Sequence, residues 1–146
     1  MSKSNTFETD ILDLIFNATA IANVADNAAS APLTNLYLSL HTGDPGEAGN
    51  QETSECAYTS YARVAVARTS GGFTVSGNSV VLASDQDFPA ATGGTETATH
   101  FAIGTASTGT GKILYSGTVT PNISISTGVT PRQCPMRGVS PVSPNA

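Results

Sequence analysis

The chain has 146 residues, enough for one domain with its own core, and only 12% of them are charged, against roughly 25% in an average soluble domain. Ser and Thr number 36 and Gly 14, so hydroxyls stand where charges usually would, and 39% hydrophobic residues favour collapse over disorder. A net charge of −5 argues against wrapping nucleic acid, which needs clustered Lys and Arg to displace counterions. The charge is uneven: Ser4 to Ala62 holds eight carboxylates and no Lys or Arg, whereas Lys112 to the end holds three basic residues and no acidic one. Opposite signs at head and tail would favour pairing between copies or with a partner, against the plainer reading of scatter in a chain with few charges.

Met1 to Asn5 is polar, and the apolar stretch after it carries Glu8, Asp10 and Asp13. No secretory signal is therefore expected, and no run approaches the roughly 20 apolar residues of a membrane span. Cys56 and Cys134 have no metal-ligand spacing and are too few for a disulfide scaffold. Free thiols are the expectation, with a bridge between the two left open.

The first predicted element is a helix. Phe7, Ile11, Leu14, Ile15, Ala18, Ile21 and Ala22 recur at three- and four-residue steps as one apolar stripe. Asn5 with Glu8 has the spacing of a capping box, and the pattern must stop by Pro32. Leu12, Phe16 and Val24 lie off the stripe. Such a helix has more apolar surface than one sheet face covers, so it is either sandwiched or docked on another subunit.

After Pro32 the period becomes two. Leu36, Leu38 and Leu40 alternate with Tyr37, Ser39 and His41, which predicts a strand buried on one face. A polar loop runs from Thr42 to about Ser54, opening on Gly43-Asp44-Pro45-Gly46. Tyr61 to Arg68 follows as a strand, then a Gly71-Gly72 turn and a hairpin of Phe73–Ser76 and Ser79–Ala83 about Gly77-Asn78. Phe88 sits in an edge-like piece before Pro89, Thr99 to Gly104 and Lys112 to Thr120 are further strands, and Ile123 with Ile125 makes a last short one. About eight short antiparallel strands with no helix between them predict a mainly β fold: a sandwich, jelly roll or small barrel. From Thr130 the chain is Pro-rich, with prolines at 131, 135, 141 and 144, and reads as an extended C-terminal arm. The expected organisation is a helix and linker over 1–32, a β-sandwich over 33–130 and the arm over 131–146.

Motifs that would carry chemistry fail on named residues. Gly109-Thr110-Gly111-Lys112 is followed by Ile113 and a strand, not by Ser or Thr at a helix start, so it reads as a turn rather than a phosphate loop. No G-x-S-x-G elbow exists, and His41 and His100 lie opposite Leu40 and Phe101 or at strand ends, the place of solvent-facing or hydrogen-bonded imidazoles. Asp85-Gln86-Asp87 lacks the further ligands of a calcium loop and reads as an exposed turn. Tyr58 and Tyr61 with Arg63 and Arg68 have the make-up of a small stacking-and-cation patch for a glycan or nucleic acid, against the plainer reading of surface packing. No catalytic, cofactor or metal site is expected.

One set of residues carries a family resemblance. Leu36-Tyr37-Leu38-Ser39-Leu40-His41-Thr42-Gly43-Asp44-Pro45-Gly46 is followed by Ala57-Tyr58 and Tyr61-Ala62-Arg63-Val64. Phe88-Pro89-Ala90, Gly93-Gly94, Thr99 to Gly104 and Leu114-Tyr115-Ser116-Gly117 come after in the same order. Over Asn35 to Arg132 this succession resembles small virion proteins of tailed bacteriophages, some labelled tail-fibre proteins and some similar to jelly-roll capsid cement proteins. Relatives tend to end on another apolar strand, whereas Gln133 to Ala146 here is Pro-rich, which would leave a sheet edge open.

The resemblance implies a jelly-roll-like sandwich that acts by packing, with no active-site residues. The reading preferred at this point is a cement protein, made in the host cytoplasm, that sits outside the phage head and bridges subunits of the major capsid protein. It would pair with itself as a dimer or trimer at symmetric sites. Its expected contact residues are Leu12 and Phe16 on the helix, Asp44, Pro45, Glu47, Glu52 and Glu55 in the loop, and Pro131, Arg132, Pro135 and Arg137 in the arm. A second reading is a tail-fibre or receptor-binding module that meets a host glycan through an exposed Tyr58, Tyr61 and Arg63 groove. A third, an enzyme, requires His41 or His100 within reach of a Ser or Cys and a carboxylate.

Overall fold

The computed structural model describes residues 3–28 and 31–134. It is mainly β: a helix α1 (Asn5–Phe16) precedes β1 (Asn35–His41), β2 (Val64–Ala67), β3 (Phe73–Ser76), β4 (Ser79–Leu82), β5 (Gln86–Asp87), β6 (Glu96–Gly104), β7 (Ile113–Ile125) and β8 (Arg132–Gln133). The expected class, one N-terminal helix and about eight short antiparallel strands, holds. The described residues divide into two compact units: residues 3–28, 31–34, 67–84 and 134 form the first, and residues 35–66 and 85–133 the second. The hairpin at 73–82 thus groups with the helix, a division that the expected cut at residue 33 does not contain.

In the first unit α1 packs on the β3–β4 hairpin. Ser4, not Asn5, is the N-cap, its side chain accepting from the Phe7 N–H at 3.3 Å. The helix ends early, at Asn17, whose side-chain amide donates to Asp13 Oδ1, and Ala18 then turns left-handed at φ 54°. Over twelve residues the buried row is Glu8, Leu12 and Phe16, one turn apart. Phe7, on the predicted stripe, is 40% exposed. The stripe is displaced by about one position because Phe16 meets Phe73 edge-on at 4.8 Å, on a hairpin whose Val80 and Leu82 are also buried. Leu12 and Phe16 are each 0% exposed and form core, which corrects their assignment as partner contacts.

A helix end leaves carbonyls unsatisfied, and the last turn of α1 carries no basic residue to meet them. Arg68 supplies the missing donor from beyond β2. Its guanidinium donates to the Leu14 carbonyl (2.9 Å), the Ile15 carbonyl (2.8 Å), the Leu33 carbonyl (2.7 Å) and Asn27 Oδ1 (3.2 Å). One side chain therefore caps the helix and fastens the linker behind it.

The second unit is built on a sheet of order β2-β1-β6-β7. β1 pairs antiparallel with β6, Leu40 opposite Phe101, and β6 pairs antiparallel with β7. Leu36, Leu38 and Leu40 are buried as their alternation predicts, but Ser39 and His41 are also 0% exposed, so the end of β1 is covered on both faces. The two expected strands 112–120 and 123–125 are one strand, β7. Pro121, which has no N–H to give, falls where the ladder with β6 is interrupted between Ala98 and His100. The segment expected to begin an arm at Pro131 is instead held down: the Phe88 N–H donates to the Pro131 carbonyl, and β8 pairs with β5. Pro131 is buried, and Arg132 bridges to Asp87 and Asp85, so Asp85–Asp87 is more than an exposed turn.

Replacing Arg68 with Met leaves three carbonyls without their donor and uncaps α1. The expected loss is about 2–3 kcal/mol in urea unfolding. Arg68→Lys, with one point charge for a planar fork, restores only part of it.

Candidate functional site

The polar centre of the second unit lies at the end of β1. Glu55 and Arg63 form a two-pronged pair, Nε to Oε1 at 2.7 Å and Nη2 to Oε2 at 2.8 Å, with side chains 15% and 3% exposed. Arg63 also donates to the Ala106 carbonyl at 3.0 Å and the Gly109 carbonyl at 2.8 Å, which fixes the turn between β6 and β7. The Glu55 carboxylate beside it holds the guanidinium pKa above its ordinary value. Tyr61 relays the same centre to the sheet: its hydroxyl donates to Glu55 Oε1 at 2.8 Å and accepts from the Leu40 N–H at 3.1 Å. Burial, with Glu55 alongside, pushes the Tyr61 phenol well up.

Gln51 forms the second anchor of the loop. It is 0% exposed, its Oε1 accepts from the Ala106 N–H at 2.9 Å, and its own N–H donates to the Gly111 carbonyl at 2.9 Å. A Cβ on Gly104 would stand 2.1 Å from the Gln51 side chain, and one on Gly111 2.0 Å from it. Both positions are glycine because Gln51 fills the space. The Gly-rich turn at 109–112 is thus a packing device, as its sequence suggests.

His41 sits beside this centre. Its Nδ1 lies 2.8 Å from the Thr53 carbonyl and so carries the hydrogen, and Nε2 lies 2.9 Å from Ser39 Oγ. Burial lowers its pKa, outweighing the Thr53 carbonyl and Glu55, which raise it. The Ser–His contact is shut inside the chain, both residues at 0% exposure, and the group orienting the ring is a backbone carbonyl, not a carboxylate. Burial pushes the Cys56 thiol up to about 12, away from nucleophilic use. Among the described residues no three or more His, Cys, Asp or Glu come together to hold a metal, and no helix is long and apolar enough to cross a membrane.

The Tyr58, Tyr61 and Arg63 groove expected from sequence does not exist as an open surface. Tyr58 is 3% exposed and donates to the Pro89 carbonyl; Tyr61 packs edge-on against it at 5.3 Å and stacks on Phe88 at 6.1 Å. Glu96 clamps the same segment from below, accepting from the Ala57 and Tyr58 N–H groups. Three rings and a buried ion pair here hold loops together.

What reaches the surface is the loop before this centre. Asp44, Glu47 and Glu52 are exposed, whereas Pro45 is buried and Glu55 is taken up by Arg63. Asp44 Oδ1 accepts from the Gly46 N–H at 2.9 Å, shaping the turn from within. Asp44, Gly46, Glu47 and Gly49 form one wall of a groove of about 380 Å³, and Ile113, Leu114, Tyr115 and Ser116 of β7 form the other. Sequence reasoning named Asp44 and Glu47 but not the facing wall, which only the fold brings to them. Arg132 is exposed and paired, and Pro135 and Arg137 lie outside the described residues.

With this geometry in view, residues 2–134 match the family described as Podophage GP4 fiber I protein gp80, and the chain belongs to it. It is therefore a phage virion structural protein related to a fibre, and the match takes in the helix that the resemblance over 35–132 did not cover. No curated protein matches the chain.

Two outcomes follow from the polar centre. Arg63→Met leaves Glu55 buried and unpaired and costs about 3–5 kcal/mol by chemical unfolding. Glu55→Gln added to it costs less than the sum of the single changes. Second, His41 has a folded pKa below its unfolded one, so its contribution is complete above about pH 6.5 and drains away as pH falls from there. The urea midpoint of the wild type should drop between pH 7.5 and 5.5, and His41→Gln should flatten that drop.

Proposed function

We propose that the chain is a component of the virion's fibre apparatus, an adhesive module that meets a host-surface glycan. The match of residues 2–134 to a podophage fibre protein carries this reading. The surface chemistry supports it: carboxylates and hydroxyls, groups that bond sugar hydroxyls directly, are the commonest polar side chains on the outside of the second unit, with Lys112 and Arg132 among them. No catalytic step belongs to the reading, since the Ser39–His41 contact is sealed from substrate. Self-association into a multi-copy fibre is the partner arrangement it requires.

The capsid cement reading keeps the family's virion setting but loses four of its contact residues, because Leu12 and Phe16 are inside the first unit and Pro45 and Pro131 are buried in the second. Gold-labelled antibody on purified virions separates the two. Label confined to the tail in a few positions is expected; label spread over the head in high copy number overturns the fibre reading in favour of cement.

A further inference from the structure

Resting on the glycan reading above, we infer that the groove between the 44–49 loop and the start of β7 is the sugar subsite, and that it takes an uncharged or amino-bearing glycan while rejecting an acidic one. Its volume of about 380 Å³ falls at the small end of ligand pockets, room for a short saccharide. A sugar ring is amphipathic, with C–H faces and hydroxyl edges, and the two walls match that division. Ile113, Leu114 and Tyr115 offer apolar surface and a ring, while Asp44 and Glu47 offer carboxylate oxygens and Ser116 a hydroxyl.

Charge sets the selectivity. Two carboxylates and no Lys or Arg line the groove. A sugar hydroxyl gives such a carboxylate a charge-assisted hydrogen bond, and an ammonium substituent adds Coulomb attraction. A uronate, sialate or phosphate group instead meets two like charges at short range, with no Lys or Arg in the lining to neutralise it and Lys112 only at its border. The wall that carries the carboxylates is also held in advance: Pro45 is buried between them, Asp44 closes the turn onto Gly46, and Gln51 and Glu55 tie the far end of the loop to the turn that leads into β7. Preorganisation of this kind removes the ordering cost of closing a flexible loop on a weak ligand.

The test is a calorimetric titration of the full chain at pH 7 with three hexamers: glucosamine, maltose-type glucose and galacturonate. The first two should bind and the galacturonate hexamer should not. Asp44→Asn with Glu47→Gln should weaken the glucosamine hexamer by about ten-fold, the loss of one or two charge-assisted bonds, with the melting temperature unchanged because both residues are exposed and Asn keeps the oxygen that accepts from the Gly46 N–H. Glu52→Gln, on the same loop but off the groove, should bind as the wild type does. Galacturonate binding as tightly as the others, a double variant that binds like the wild type, or no binding of any hexamer overturns the subsite. Failure here with label on the tail overturns the groove alone; label on the head overturns the fibre reading, and the titration still decides the groove.

Discussion

The pair formed by Glu55 and Arg63 is the constraint on which the second unit depends. A carboxylate and a guanidinium this well buried stay charged only if nearly every lone pair and N–H is met, and here they are. Glu55 takes the two prongs of Arg63 and the Tyr61 hydroxyl; Arg63 gives its remaining donors to the Ala106 and Gly109 carbonyls. Three separate stretches of backbone meet at that point: the end of the 42–54 loop, the segment leading into β2, and the turn between β6 and β7. None of them is a regular element, so none has a ladder of its own to hold it. Charged hydrogen bonds stand in for the ladder.

The same device recurs in the first unit with a different acceptor. Arg68 faces carbonyls and an Asn side-chain oxygen rather than a carboxylate, and it closes a helix end that has no basic residue of its own. In a chain with only six Lys and Arg, two are committed to holding its frame. That commitment explains the sign of the surface. Once Arg63 and Arg68 face inward, the exposed 44–52 region keeps its carboxylates without compensation. The acidic groove is thus a by-product of how the frame is held as much as a feature of the loop itself.

Local signals in the sequence were readable where a single element decides the outcome. The Leu36, Leu38 and Leu40 alternation, the Gly77-Asn78 hairpin and the 109–112 turn all depend on neighbours within a few residues. Reading failed where a distant partner decides. Whether Leu12 or Phe7 faces the core depends on where Phe73 stands, and whether Ser39 and His41 face water depends on Thr53 arriving above them. Tyr58, Tyr61 and Arg63 have the composition of an adhesive patch, yet a Tyr or Arg with a buried partner looks the same in one dimension as one without. The strands read separately over 112–120 and 123–125 are one, because Pro121 falls where the ladder with β6 is interrupted and costs it no donor.

On the proposed fibre reading, the module would face a mechanical demand at its contact surface. Force reaching the contact surface must pass into the sheet without unwinding the loop that bears it. A loop held only by surface contacts would open under load before the sheet did, since local stability ranges from nearly zero up to the global value. Here the 42–54 loop is fastened at its start by the pairing of Thr42 with Ser54, near its end by Gln51 and His41, and just beyond by Glu55. Apart from the exposed Thr42–Ser54 pair, each fastening is a hydrogen bond or ion pair with at least one partner shielded from water. The carboxylates at its tip are therefore carried on a segment that moves with the sheet, which is what the proposed attachment to a polar surface would require.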